Sequence, residues 1–135
     1  MATNGGPVIS AAWLAENLAD VVVVDCRWSL DDGPRRKAYE EAHLPTAVFA
    51  DLDVDLSAPP SAAEGRHPLP APEAFAAAMG RLGIGDDTQV VAYDDAGGVV
   101  AARLWWMLDA LGRSAAVLDG GLAAWDGPIE SGPVK

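Results

Sequence analysis

Three aspartates, Asp25, Asp94 and Asp119, each stand at the end of a short apolar run in this chain of 135 residues. Runs of this kind are typical of strands that are buried on both faces of a parallel sheet. Because the carboxyl ends of parallel strands share one edge, where α/β proteins keep their sites, we expect the three carboxylates to lie along that edge. Together with Asp95 they could bind a divalent cation, since such cations prefer carboxylate oxygens.

One cysteine and two histidines are the other side chains whose chemistry could carry a reaction. Cys26 stands beside Arg27, and a neighbouring guanidinium can lower the pKa of a thiol and make it reactive. Free cysteines at strand ends are more often small buried residues, and we interpret Cys26 in that way. We interpret His43 as a structural histidine that anchors a turn. A single cysteine excludes an internal disulfide, and two histidines beside it leave no spaced zinc set, so we expect no structural zinc. We also expect no cofactor.

The elements that must position these residues follow from the apolar periodicity. Buried strands are predicted at 21–24, 89–93 and 115–118. Helices are predicted at 11–18, 72–82 and 99–111. Ser10 can cap the first helix, Pro72 suits the first turn of the second, and Gly112 ends the third. This alternation predicts an α/β fold with a mostly parallel central sheet flanked by helices.

Two segments lack this periodicity. Residues 51–71 are rich in proline, alanine and serine, and a loop of that length is either functional or mobile. Residues 127–135 are rich in glycine and proline, which is typical of a linker. We therefore predict one domain over residues 8–126 and the start of an interdomain linker over 127–135, with further chain beyond it.

The charge of the chain bears on its partners and its location. The net charge is −11, and the one basic run is Arg35-Arg36-Lys37. Such a chain repels phosphate backbones and acidic lipids, so we expect neither nucleic acid nor a membrane as a partner. No stretch approaches the roughly 20 apolar residues of a spanning helix, and the first six residues lack the pattern of a signal peptide. We therefore expect a cytoplasmic protein.

Several motifs between Val21 and Trp125 stand in the order of a known family. They are Val24-Asp25-Cys26-Arg27-Trp28, Tyr39 with His43-Leu44-Pro45-Thr46-Ala47-Val48-Phe49, Asp51-Leu52-Asp53, His67-Pro68-Leu69-Pro70, Val91-Ala92-Tyr93-Asp94, Ala102-Arg103-Leu104-Trp105-Trp106-Met107, and Leu118-Asp119-Gly120-Gly121 with Trp125. The set resembles the N-terminal half of a tandem-domain rhodanese, the thiosulfate and 3-mercaptopyruvate sulfurtransferase family. Thr46 departs from the glycine usual in that family. The resemblance implies a rhodanese-like domain of three layers.

The resemblance also locates the position of the family's nucleophile. In the catalytic domain of the family, a cysteine follows the central strand, and the backbone N–H groups of a short loop converge on its sulfur. Asp94 stands at that position, followed by the loop Asp95, Ala96, Gly97 and Gly98. A carboxylate can accept the same hydrogen bonds without acting as a nucleophile. In tandem members this is the usual state of the N-terminal domain.

On this resemblance, the working cysteine belongs to a C-terminal rhodanese domain of the same polypeptide. The chain would then be half of a sulfurtransferase, inactive alone, whose small sulfur donor is thiosulfate or 3-mercaptopyruvate and whose acceptor is cyanide or a thiol. In the mercaptopyruvate branch, an aspartate and a histidine of this half face the partner's cysteine and assist proton transfer. By position these are Asp53 and His67, although the alanine- and proline-rich stretch 57–66 alters their spacing.

Two alternatives of other classes stay open at this point. The chain could be a stand-alone pseudo-enzyme that serves as a binding or regulatory module, with Asp94 holding the loop. It could instead carry the divalent-metal site at the acidic edge, which predicts stabilisation by magnesium or calcium. Continuation into a second domain with a cysteine after a valine-rich strand distinguishes the half-enzyme from the stand-alone module.

The tryptophans predict an interface. Trp105 and Trp106 are adjacent in a predicted helix, so their side chains point about 100° apart. We expect one of them to be buried against the sheet and the other to be partly exposed. An exposed tryptophan of that kind, together with Trp28 and Trp125, would mark a surface for the partner domain.

Overall fold

The computed structural model describes residues 7–132 of the chain. Its strands, in chain order, are β1 (Val8–Ile9), β2 (Val22–Asp25), β3 (Trp28–Ser29), β4 (Gly33–Pro34), β5 (Val48–Phe49), β6 (Val90–Tyr93) and β7 (Ala115–Leu118). Five of them form a parallel sheet in the order β1-β7-β6-β2-β5. Strands β3 and β4 pair antiparallel as a separate hairpin. The predicted mostly parallel central sheet is confirmed.

Helices connect and flank these strands. They are α1 (Ala11–Asn17), α2 (Arg36–Glu41), α3 (Pro72–Arg81) and α4 (Ala101–Ala110). The Ser10 side chain accepts a hydrogen bond from the Trp13 N–H, as its predicted capping role requires. Helix α4 begins at Ala101 rather than at 99, because the loop after β6 continues to Val100. None of the helices within residues 7–132 is long and apolar enough to cross a membrane.

The sheet is covered on both faces. Val90 and Ala92 of β6 pack in a cluster with Phe75 of α3 and Leu104 of α4, together with other buried side chains. The alternate residues of β6, Val91 and Tyr93, join a second cluster with Leu14 of α1 and Tyr39 of α2. Because successive side chains of a strand point to opposite faces, the two clusters lie on opposite sides. The fold is therefore the predicted three-layer arrangement.

The segment from residue 127 to 132, predicted to begin a linker, lies against the domain. Glu130 pairs with His43 by two backbone hydrogen bonds of 2.9 Å. Its side chain also accepts a hydrogen bond from the Thr46 N–H at 2.9 Å, and the Gly132 N–H donates to the Glu40 carbonyl at 2.7 Å. The segment 127–132 is therefore held against the domain by the contacts of Glu130 and Gly132.

Thr46 adopts a backbone conformation that favours glycine. Its φ is +64°, and no other non-glycine residue of the described range has a positive φ. A β-branched side chain is strained in this region, at about 1–2 kcal/mol per L-residue. We expect Thr46→Gly to raise the free energy of unfolding by about 1 kcal/mol, as measured by urea denaturation.

The matched control for that substitution is Thr46→Ala, which removes the same exposed side chain but keeps a Cβ. It should remain about 1 kcal/mol less stable than Thr46→Gly. A glycine variant no more stable than the alanine variant would contradict the strain at this position.

Candidate functional site

The carboxylate of Asp94 lies inside a cradle of backbone N–H groups. Its Oδ1 accepts hydrogen bonds from Ala96 and Gly98, both at 2.9 Å, and its Oδ2 accepts from Val100 at 2.9 Å and Ala101 at 2.8 Å. Gly97 and Gly98 have positive φ values of 73° and 91°, which let the loop after β6 turn its N–H groups inward. Asp94 is only 1% exposed, so its side chain fills the cradle.

The backbone of Asp94 is fixed by the loop after β7. The Asp94 carbonyl accepts a hydrogen bond from the Leu122 N–H at 3.1 Å. Gly121 has a φ of +58°, and a Cβ at that position would overlap the Asp94 carbonyl oxygen. Gly121 of the Leu118-Asp119-Gly120-Gly121 motif therefore permits a close approach of the loops after β6 and β7 at the carboxyl edge of the sheet.

Asp25 is neutralised by a buried ion pair. Its carboxylate, 0% exposed, contacts the Arg27 guanidinium at 2.8 Å and accepts a hydrogen bond from the Tyr93 hydroxyl at 2.8 Å. Arg27 also donates to the Ala42 carbonyl at 2.6 Å. Burial and the charge of Asp25 raise the pKa of Tyr93 far above its usual value, so its hydroxyl remains a donor. These contacts join the carboxyl ends of β2 and β6 to the end of α2.

The three strand-end aspartates do not form the open acidic row that a cation would need. Asp25 and Asp94 are buried with their oxygens occupied, and only Asp119 is exposed. In the part of the chain that the structure describes, no three His, Cys, Asp or Glu side chains are grouped so as to hold a metal ion. The described residues at this edge therefore provide no ligand set for the divalent cation of that hypothesis.

Cys26 is a buried residue of the core, in agreement with its structural interpretation. It is 1% exposed, and Arg27 pairs with Asp25 instead of activating the thiol. Burial, followed by the charges of Asp25 and Asp94, raises the pKa of the Cys26 thiol well above its usual value. The thiol is thus neither accessible nor ionised in the native protein.

Cys26 should consequently resist thiol reagents in the folded state. We expect no reaction with Ellman's reagent over hours at neutral pH, and stoichiometric reaction once the chain is unfolded in guanidinium chloride. The time course of absorbance in the two conditions measures the difference. Rapid labelling of the native chain, with unchanged circular dichroism, would show that this thiol is exposed.

The structure brings Asp53 and His67 together. The His67 Nε2 lies 2.7 Å from the Asp53 Oδ1, and the Trp28 Nε1 donates to the same oxygen at 3.2 Å. The rings of Trp28 and His67 meet edge to face with centroids 5.2 Å apart. The backbone N–H of Asp53 donates to the Asp51 Oδ1 at 2.8 Å, which fixes the backbone at Asp53. Aspartate, histidine and tryptophan therefore form one cluster.

Arg103 contacts both ends of the long loop that carries His67. Its guanidinium donates to the Leu56 carbonyl at 2.8 Å and to the Pro68 carbonyl at 3.2 Å. The Ala58 N–H also donates to Pro68 at 2.9 Å. These contacts hold the two ends of the stretch 57–66 side by side, so His67 follows directly on a fixed point of the backbone. A single arginine in α4 gave no signal of this role in the sequence.

His43 is the structural histidine that the sequence predicts. Its ring is 0% exposed and stacks on Tyr39 with centroids 4.5 Å apart. Its Nδ1 lies 2.7 Å from the Leu44 carbonyl oxygen, and its Nε2 lies 2.7 Å from that of Gly132. The His43 ring therefore joins α2, the turn that follows it and the segment 127–132.

The tryptophan predictions need correction at two positions. Trp106 is 51% exposed as expected, but Trp105 is only half-buried, since Leu104, Met107 and Leu108 supply the buried contacts of α4. Trp125 is 9% exposed and donates to the Pro128 carbonyl at 3.0 Å. The prediction that Trp125 marks an interface is wrong, because its side chain is buried in the second hydrophobic cluster.

Comparison with known proteins agrees with this architecture. Residues 10–127 match the model of the rhodanese-like domain family, and the chain belongs to that family. A Pseudomonas aeruginosa protein with the curated name "Probable 3-mercaptopyruvate sulfurtransferase" is 48% identical over 128 residues, which are 90% of this chain and 45% of that protein. Human 3-mercaptopyruvate sulfurtransferase is 40% identical over 141 residues, covering 93% of this chain and 46% of the human protein.

Solved structures show the same relation. The 3-mercaptopyruvate sulfurtransferase from Leishmania major superposes with a TM-score of 0.88 at 35% identity, covering 96% of this chain and 37% of that protein. The human and Leishmania major proteins are both named 3-mercaptopyruvate sulfurtransferases. The chain spans about half the length of the curated relatives that it matches.

Proposed function

We propose that this chain is the non-catalytic N-terminal half of a tandem-domain sulfurtransferase of the rhodanese type. The complete protein transfers sulfur from thiosulfate or 3-mercaptopyruvate to cyanide or a thiol through a cysteine of its C-terminal rhodanese domain. The observation that carries the proposal is the occupied cradle, where the Asp94 carboxylate accepts four N–H hydrogen bonds. A saturated carboxylate cannot take up sulfur, so the chemistry belongs to another domain.

The Asp53–His67 pair is the group that this half contributes to the reaction. The carboxylate fixes the orientation of the imidazole and stabilises its protonated form, which is the role of the acid in catalytic triads. The His67 side chain is 18% exposed and that of Asp53 is 46% exposed, so the pair is open at the edge of the sheet. In the proposed two-domain protein, His67 exchanges a proton with a donor bound at the cysteine of the C-terminal domain.

The surface around the pair supports a partner domain at this edge. Leu30, Val54 and Val99 are 72%, 67% and 75% exposed. Leu30 lies in the turn between β3 and β4, and Val54 and Val99 follow β5 and β6, so all three lie in connections that leave the carboxyl ends of the parallel strands. Large exposed apolar side chains in several connections at one edge are typical of an interface. The C-terminal rhodanese domain of the same polypeptide is the proposed occupant.

Turnover of the complete two-domain protein tests the role of His67. We expect His67→Asn to lower kcat with 3-mercaptopyruvate by about 10²–10⁴-fold, the usual contribution of a positioned acid or base. Asp53→Asn should lower it in the same direction by releasing the ring. The matched control is Glu64→Gln, which removes one exposed carboxylate from the same excursion. Unchanged turnover in both variants would contradict the role of the pair, whereas a two-domain wild-type protein without turnover would favour a binding or regulatory module.

A further inference from the structure

Two nitrogen atoms converge on one oxygen of the Asp53 carboxylate. The Nε2 of His67 lies 2.7 Å from Oδ1, and the Nε1 of Trp28 donates a hydrogen bond to the same Oδ1 at 3.2 Å. An ionised carboxylate accepts hydrogen bonds but does not donate them, so the nitrogen of His67 that faces it carries a proton. In the neutral imidazole the proton is therefore on Nε2, and the lone pair is on Nδ1.

The Nδ1 of His67 is the nitrogen that is left for a reaction. Within residues 7–132 it has no hydrogen-bond partner, and the His67 side chain is partly exposed. The two nitrogens of a histidine are distinct, and the hydrogen bond made by one of them decides the protonation of the other. Proton exchange at Nδ1 leaves the bond between Nε2 and Asp53 intact, so the ring keeps its orientation while its charge changes.

The hairpin of β3 and β4 places Trp28 beside the Asp53 carboxylate. Trp28 of β3 lies opposite Pro34 of β4. Gly33 of β4 also lies next to the carboxylate, since a Cβ built on Gly33 would be 3.7 Å from the Asp53 Oδ2. The hairpin therefore borders both oxygens, and the indole N–H of Trp28 is the group in it that donates a hydrogen bond to the carboxylate. This bond restrains the rotation of the carboxylate that holds His67.

We propose that Trp28 is a positioning residue, which holds the Asp53–His67 pair with Nε2 on the carboxylate and leaves Nδ1 as the atom that exchanges the proton. The indole N–H restrains Asp53, and the indole ring meets the imidazole edge to face, at 84° between the ring planes. When His67 takes up a proton, the Nδ1 lone pair forms the new N–H bond, and the same bond breaks when the proton is given back. The inference rests on the proposed function, because it names the reacting atom of the same pair.

Nitrogen-15 NMR of the 135-residue chain tests which nitrogen of His67 carries the proton. Long-range correlation spectra distinguish a protonated ring nitrogen from a bare one, and neutral His67 should show its proton on Nε2. Trp28→Phe keeps an aromatic ring but removes the N–H donor. We expect the Nε2 proton to exchange with water about tenfold faster in this variant, because a less restrained carboxylate releases the ring more often. A bare Nε2 with the proton on Nδ1 in the wild-type chain would overturn the inference.

The matched control is Trp13→Phe. Trp13 is half-buried, as Trp28 is, but it packs against the cluster on the other face of the sheet. This variant should reproduce the wild-type exchange of the Nε2 proton.

Turnover of the complete two-domain protein separates this inference from the proposed function. Trp28→Phe should lower kcat with 3-mercaptopyruvate about tenfold, because a misoriented ring transfers the proton less often. KM should stay within about twofold of the wild-type value, since the indole N–H is bonded to Asp53 and not to the donor. Equal kcat values in Trp28→Phe and Trp13→Phe, with a slow His67→Asn, would overturn the role of Trp28 alone. Unchanged turnover in His67→Asn would overturn the role of the pair and this inference together.

Discussion

Asp94→Ala is expected to lower the free energy of unfolding by about 4 kcal/mol, because it leaves the cradle without its acceptor. The Val100 and Ala101 N–H groups are buried and would lose their partners at 2.9 and 2.8 Å. Each buried donor left unsatisfied costs about 1–3 kcal/mol. The Ala96 and Gly98 N–H groups lie nearer to solvent and can turn to water, so they add less.

The chemical nature of the replacement should matter at this position. Asp94→Asn keeps one oxygen but turns an amide NH₂ toward two N–H donors, so we expect a loss of about 2 kcal/mol. The control is Asp95→Asn, an exposed neighbour in the same loop, which should change stability by less than about 0.5 kcal/mol. Thermal and denaturant unfolding measure all three variants. An alanine variant as stable as Asp95→Asn would show that the carboxylate does not hold the loop.

Gly121→Ala is expected to destabilise the domain by about 2–5 kcal/mol, through a collision of the new side chain with the backbone. The new Cβ would overlap the Asp94 carbonyl oxygen, and the residue has a φ of +58°. The left-handed conformation costs about 1–2 kcal/mol and overpacking about 1–3 kcal/mol. The overlap can be relieved only by moving the loop after β6 or the loop after β7, and either movement would disturb the contact between Gly121 and Asp94.

Gly97→Ala separates conformational strain from collision. Gly97 also has a positive φ, of +73°, but nothing lies within 4 Å of a Cβ built there. We expect this variant to lose only about 1–2 kcal/mol. Equal losses in the two variants would mean that close packing against Asp94 plays no part, and that φ alone explains the requirement for glycine.

The regular part of the fold could be predicted because its elements are long enough to show a period. The four-residue strand Val90–Tyr93 and the helix Pro72–Arg81 fall within one or two residues of their predicted bounds. The strands Val8–Ile9 and Val48–Phe49 consist of two residues each, which is too few for any alternation to be visible. Their place in the sheet depends on tertiary contacts that the sequence pattern does not contain.

The site could be predicted only where local chemistry or family resemblance marked it. The family resemblance predicted that Asp94 stands in a loop whose backbone N–H groups converge on its side chain. The contact of Asp53 with His67 crosses 14 residues of irregular chain, so no spacing rule indicates it, and its prediction came from resemblance alone. The contacts of Arg103 with that loop, and the pairing of Glu130 with His43, join residues that are 35 to 87 positions apart in the chain.

The most direct test of the account is intact-mass analysis of the 135-residue chain after incubation with thiosulfate or 3-mercaptopyruvate, alongside a thiocyanate assay with cyanide as acceptor. The occupied cradle of Asp94 and the buried thiol of Cys26 predict an unchanged mass and no thiocyanate. A cyanide-labile sulfur atom added to Cys26, together with turnover, would contradict the account and show that this domain is itself a sulfurtransferase.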